Sequence, residues 1–253
     1  MKNIALEQRL SESEAGAVCS VLVTRLGGSY SRLLGIRLAG MGSEDVFNWF
    51  AGAFLLGSPV RASCALAAYR ALVKQNLLSP RAIACSEDHE LVQVLQDAGF
   101  VGHSGRIACS LRAAVESLVV DYDADINRLH FFAEDESDLV RRLRSLGSGV
   151  PRRIVVLFLR EMRGVWDKAR PGLSSPVIEA ARCLGVIDAS RTAEAMDQLH
   201  SVWEKADHSG RTYADLEVAL ARLGENYCSM RRCLSCPISK ICISRVPVSV
   251  GAR

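Results

Sequence analysis

The sequence predicts an all-α protein, on three observations. Its 253 residues are 49% hydrophobic but only 6% aromatic, and Ala, Leu and Arg, all strong helix formers, are plentiful. Apolar residues recur at helical spacing, and no stretch alternates as a strand would. Caps and glycine stops punctuate the chain. A chain of this size and apolar content buries a large core, in one domain or two intimate lobes.

The elements follow in order. Ser11 precedes an apolar-periodic run that stops at Gly27-Gly28. Ser43 opens a second helix, with Glu44 and Asp45 in its first turn, where carboxylates favour the helix dipole. Residues 60–75 are rich in Ala and Leu and amphipathic. Ser79-Pro80 starts another helix, with proline in its first turn. Ser86 is expected to cap a helix over 87–97 that Gly99 ends. Residues 103–120 are helical, and 121–127 read as a polar loop. Its acids, Asp121, Asp123 and Asp125, lack the glycine and final glutamate of a calcium hand and fit a solvated turn. Asp135 starts a helix ending near Leu146. Gly147-Ser148-Gly149 turns the chain, and a further helix begins near Pro151. The tail after Arg245 reads as irregular. There is no internal repeat and no low-complexity linker.

Charge narrows the function. The net charge is only +3, from 31 basic and 28 acidic residues. Two segments stand apart from this balance. From Cys228 onward there are Arg231, Arg232, Lys240, Arg245 and Arg253 and no acid. Between Asp138 and Arg163 there are seven arginines against Asp138 and Glu161. Local basic patches in a near-neutral chain point to contact with a polyanion. No apolar signal core begins the chain, and its most apolar stretch, 46–60, is too short to span a bilayer. The expectation is a cytoplasmic protein that engages no membrane. An odd count of 9 cysteines in a reducing compartment argues against disulfides. Cys19, Cys64, Cys85, Cys109 and Cys183 read as small core residues.

The other four cysteines are the most informative residues. Cys228, Cys233, Cys236 and Cys242 form a C-x4-C-x2-C-x5-C run, with Pro237 after the third. Four thiolates this close read as metal ligands. An iron–sulfur cluster, of the [4Fe–4S] type, takes four cysteine sulfurs, often with a short C-x2-C step and a proline after a ligand. Zinc also takes four thiolates, but usually as two C-x2-C pairs separated by a longer loop.

The second informative segment is LGSGVPRRIVVLFLREMR, from Leu146 to Arg163. Two helices joined by a Gly-x-Gly turn make a helix–hairpin–helix. Glycine tolerates the tight turn, and the free N–H groups opening the second helix form an anion site suited to a phosphate. Gly147, Ser148, Gly149 and Val150 would supply that turn, and Arg152 and Arg153 its charge. Gly-Ser-Gly serves an ordinary helix connection equally well.

Together these features resemble the endonuclease III branch of the helix–hairpin–helix DNA glycosylases, over about residues 45–245. Residues 47–118, including AYRALV and LVQVLQDAGFVGHSGRIACSLRAAVESL, are similar to the family's helical barrel. GVPRR falls on its hairpin, PVIEAARCLGV on the helix after its catalytic aspartate, and YADLEVALARLGENYC on its lead into the cluster. The resemblance implies two helical lobes flanking a DNA cleft. The barrel would span 40–163, with its hairpin at 138–163. Residues 1–39 with 164–253 would make the cluster lobe. It implies a monomer that binds double-stranded DNA, damaged or modified, and flips a base out before cutting its glycosidic bond. An aspartate stabilises the cationic sugar or activates the nucleophile, and in bifunctional members a hairpin lysine forms a Schiff base.

The chain departs from that pattern at three functional positions. The lysine position falls on Arg153, whose guanidinium stays protonated and cannot act as an amine nucleophile. The aspartate position falls on Ser174, with Asp167 and Glu179 as nearby carboxylates. The pocket glutamine is replaced by Leu56-Gly57-Ser58-Pro59. The first cysteine step is also shorter than in the family's familiar members, and Arg231 and Arg232 keep that loop basic. These departures argue against Schiff-base lyase chemistry. They leave a divergent monofunctional glycosylase, a DNA-binding protein that has lost excision, or a metal-bearing regulator with a protein partner. The five histidines read as surface or satisfied helix residues. Trp49 reads as core, and Trp166, after Gly164, as a DNA contact.

Overall fold

A computed structural model describes residues 9–189, 191–206 and 210–244. Its elements are α1 (Glu12–Leu26), α2 (Tyr30–Leu33), α3 (Ser43–Leu56), α4 (Ala62–Lys74), α5 (Pro80–Cys85), α6 (Asp88–Asp97) and α7 (Ser104–Tyr122). There follow α8 (Ile126–Phe132), α9 (Glu136–Arg144), α10 (Arg152–Met162), α11 (Ser175–Cys183), α12 (Thr192–Lys205) and α13 (Tyr213–Leu223). The protein is all-α: the described residues form no strand, only an isolated bridge between Arg163 and Trp166. No helix among them is long and apolar enough to cross a membrane.

Local chemistry sets most helix ends. Ser11 caps α1 through a capping box with Glu14, and the Ser79 hydroxyl accepts the Ala82 N–H at 3.1 Å to start α5. Asp135 caps α9 by accepting the Asp138 N–H at 2.8 Å. Two expectations need correction. Ser86 closes α5 rather than opening α6; Glu87 caps α6 in a reciprocal pair with Glu90. The expected loop at 121–127 is mostly helix. Helix α7 runs on to Tyr122, Asp123 and Ala124 turn the chain at positive φ, and Asp125 caps α8 by accepting the Asn127 N–H at 2.9 Å. The polar spacing there encodes a cap, not an open loop. The tail after Arg245 lies outside the described residues.

The chain divides into two compact units, Tyr30–Pro171 and a discontinuous unit of Met1–Ser29 with Gly172–Arg253. The dividing points differ from the expected 39/40 and 163/164. The continuous unit holds α2–α10 around a core containing Trp49, Phe47, Phe50, Phe100 and Phe158. The Trp49 indole donates to the Phe158 carbonyl at 3.0 Å, and Phe50 meets Phe158 edge-on. A Cβ on Gly57 would lie 2.5 Å from Ile154 Cγ1, so this glycine sets the approach of the end of α3 to α10. Buried Glu161 at the end of α10 accepts the N–H groups of Tyr30 and Ser31 at 2.7 and 2.9 Å. It thereby satisfies orphan donors at the start of α2.

The discontinuous unit packs α1 against α12 and α13, and α11 against α13. Its core includes Cys19, Leu22, Val177, Leu199, Leu216 and Leu220. Buried Asp215 binds the Ser29 N–H at 2.7 Å and the Thr212 N–H at 2.8 Å, tying the exit of α1 to the start of α13. Arg222 closes the other end by donating to the carbonyls of Leu26 and Gly27.

Candidate metal centre

Local geometry delivers the four cysteines to one place. After α13 the chain passes through a wide π-helical turn, Gly224–Cys228. Gly224 is required there, because a Cβ would fall 2.2 Å from the Pro176 carbonyl oxygen. Gly224 therefore lies against the start of α11, and the turn carries Cys228 on to Cys183 at its end. The backbone then reverses at Arg231, in the left-handed region at φ 52°, with the Arg232 N–H returning to the Tyr227 carbonyl at 2.9 Å. A short 3-10 turn carries Cys233, and Cys236 closes it. Ile238, 1% exposed, anchors the loop in the core, while Arg25 of α1 donates to the Pro237 carbonyl.

Cys228, Cys233, Cys236 and Cys242 line one cavity, with Leu223, Tyr227 and Ile238 among its walls. The donor set fits a thiophilic metal group: four soft ligands, apolar surroundings and hydrogen-bond donors aimed at sulfur. The Ile238 N–H bonds the Cys236 thiol and the Ser244 N–H bonds the Cys242 thiol. Such donors stabilise thiolate charge and tune a bound cluster. Burial pushes both thiols up, and these N–H groups partly offset it. Among the described residues, no group of three or more His, Cys, Asp or Glu side chains is drawn in to the geometry of a metal ion as it stands.

A fifth cysteine adjoins the set. Cys183 ends α11, and its thiol is in hydrogen-bond contact with that of Cys228. Its carbonyl accepts from Cys242 Sγ at 3.3 Å and from the Ser244 N–H at 3.2 Å. The Cys228 hydrogen bond draws the Cys183 thiol down to about 7. Cys228 is pushed up, first as the donor in that bond and then by burial. Nothing in its spacing singles out Cys183, so its expected role as a mere core residue needs correction: only the fold brings it to the loop.

The basic residues divide into exposed and committed groups. Arg231, Arg232 and Lys240 are all exposed on the cysteine loop, while Arg245 and Arg253 lie outside the described residues. In the 138–163 patch, the Asp138 carboxylate holds Arg142 at 2.7 Å and also pairs with Arg141. Arg163 donates to the Pro171 carbonyl at 2.6 Å, and Arg160 is buried. Seven arginines in sequence thus do not make seven exposed charges.

The turn at 147–149 is exposed, and Gly147 and Gly149 have φ of 58° and 105°. Several of its N–H groups are spent internally. Gly147 donates to Ser117 Oγ, Gly149 to the Leu146 carbonyl and Val150 to the Arg144 carbonyl, each at 3.0 Å. Val150, 3% exposed, is a core residue and not a free phosphate donor. The expected anion site would narrow to Ser148 and the first turn of α10, with Arg152 and Arg153 exposed beside it. Arg153 also donates to the Ser58 carbonyl at 3.3 Å. Two of the departures from the family pattern therefore meet within one unit.

Asp167 is exposed and accepts from His130 Nε2 at 2.6 Å. That partner holds its carboxyl below the usual range. The His130 ring stacks at 4.8 Å on Trp166. Trp166 is itself 1% exposed and donates to Asn127 Oδ1 at 3.0 Å. It is core, contrary to the expected DNA contact, because the indole spans the gap between α8 and α10. Ser174 sits at the N-cap of α11 in the other unit, and its buried Oγ has no hydrogen-bond partner. Glu179 is exposed on the same helix. No protein-family model matches the chain, and no curated protein is detectably similar to it in sequence.

Proposed function

We propose that this protein is an iron–sulfur DNA-binding protein of the base-excision-repair type, which recognises or removes a damaged or modified base in duplex DNA. One observation carries the reading: four cysteines line a single cavity in a loop whose exposed face bears Arg231, Arg232 and Lys240. Cys228, Cys233, Cys236 and Cys242 would hold a [4Fe–4S] cluster, which supplies folding free energy to a loop that buries Ile238 but leaves Met230, Leu234 and Ile243 exposed. The loop's cations then bind phosphates. The turn at 147–149 with Arg152 and Arg153 supplies a second phosphate contact, in the manner of a helix–hairpin–helix.

Excision, if the protein carries it out, proceeds without a lysine. Arg153 has no unprotonated amine at working pH. Asp167, kept ionised by His130, is the carboxylate suited to stabilise a cationic sugar. The serine at 174 and the arginine at 153 equally favour a second reading, in which the protein binds DNA and excises nothing.

The test is anaerobic purification, followed by iron and acid-labile sulfide assays and titration with intact, mismatched, abasic and damaged duplexes. Brown protein that binds duplexes at low salt supports the reading. Base release that Asp167→Asn abolishes assigns an enzyme; tight binding without release assigns the second reading. Borohydride should trap no covalent adduct with abasic DNA in either case. Colourless protein with bound zinc and no affinity for any duplex would overturn the proposal and favour a metal-bearing regulator.

A further inference from the structure

The cysteine loop is completed by a residue far from it in sequence. Cys236 and Cys242 receive backbone N–H groups from Ile238 and Ser244. The Cys228 sulfur instead meets the Cys183 thiol. The Ser244 hydroxyl also bonds the Cys183 sulfur. With that sulfur accepting from Ser244, its own S–H is free to point at Cys228. A metal-bound Cys228 carries no proton, so the contact between the two sulfurs then persists only with Cys183 as donor. The backbone holds it there, because the Cys183 carbonyl accepts the Ser244 N–H at 3.2 Å, a bond that does not depend on the protonation of any ligand.

We propose that Cys183 is a positioning residue of the metal centre: its S–H donates to the Cys228 thiolate, as the N–H groups of Ile238 and Ser244 do to Cys236 and Cys242. This rests on the cluster reading above. A donor to a ligand sulfur stabilises the more electron-rich state of a cluster and raises its reduction potential. Loss of the donor therefore moves the potential to a more negative value.

The experiment compares full-length wild type, Cys183→Ala and Cys183→Ser, purified anaerobically. Iron and acid-labile sulfide are measured for each, and midpoint potentials by spectroelectrochemistry. Three results support the proposal. In the first, iron content is unchanged, the potential is more negative in Cys183→Ala, and most of the shift is recovered in Cys183→Ser, whose hydroxyl still donates. In the second, iron is lost from Cys183→Ala alone while Cys183→Ser stays close to wild type. A smaller negative shift in Ser244→Ala, which lacks the hydroxyl that orients the thiol, is the third. Unchanged potentials, or equal shifts in both Cys183 variants, overturn the proposal and leave the cluster reading intact. Loss of iron from both variants overturns it too, by making Cys183 itself a ligand. Iron-free wild-type protein sinks both readings at once.

Discussion

Asp138 shows how one side chain decides what a basic segment is free to do. Its carboxylate accepts from Arg142 Nε at 2.7 Å and from the Glu134 N–H at 3.1 Å, and pairs with Arg141. These bonds, that of Arg142 foremost, hold its carboxyl at about 2. A folded-state value below the unfolded one gives stability that is present above pH ~4 and lost as pH falls toward 2. Wild-type melting temperature should therefore drop through that window. Asp138→Asn should melt lower at neutral pH and show a shallower acid limb, both read by circular dichroism against pH. The same residue explains why the arginine count in 138–163 overstates the exposed charge. Sequence displays charges, but which of them an acid neutralises or the core swallows is settled by packing. Arg160, 6% exposed, is the clearest case.

At the scale of elements, what was legible in the chain was whatever is encoded locally. Ser11, Ser79 and Asp135 announce α1, α5 and α9 because a cap bonds within three residues of itself. Helix α8 escaped because its cap, the left-handed Asp123-Ala124 pair and its first turn share one polar run. Helix α12 escaped because no strong cap precedes Thr192; Arg191 makes no side-chain capping bond. The cysteine quartet was legible from spacing, yet Cys183 was not, because α11 reaches the loop only through its packing on α13 and on the turn at Gly224–Cys228. That packing gives a prediction. Gly224→Ala places a methyl against the Pro176 carbonyl, and overpacking of this kind costs about 1–3 kcal/mol. Chemical denaturation should register that loss, and retention of the proposed cluster should fall with it. Gly147→Ala combines a positive φ with a Cβ 2.5 Å from the Ala113 carbonyl carbon. It should destabilise the α9–α10 turn by a comparable ~1–3 kcal/mol, measured by the same method.

For the whole molecule, the all-α class followed from composition and periodicity, whereas the discontinuous unit did not: no local signal tells residues 12–26 to pack with residues beyond 172. Two units with separate cores should unfold in two steps. On the proposed cluster, removing iron with a chelator should lower the step belonging to the discontinuous unit and leave that of Tyr30–Pro171 in place, as calorimetry can resolve. Salt offers a molecule-wide test of the basic surface. Each phosphate that the protein ceases to neutralise reduces the slope of log affinity against log salt by about 0.9. Replacing Arg231 and Arg232 together by Ala should lower it by about 2, evenly across duplex sequences, in fluorescence anisotropy titrations.

The pairing of α1 with α12 and α13 has a consequence for synthesis. Helix α1 is made before the other helices of its unit, yet Leu22 and Val23 are buried only when α12 and α13 arrive. Translation at about 5–20 residues per second makes that wait on the order of ten seconds. Meanwhile Tyr30–Pro171 can finish folding. Helix α1 thus waits longest of its unit to find its neighbours, and the thiol loop that follows α13 closes later still.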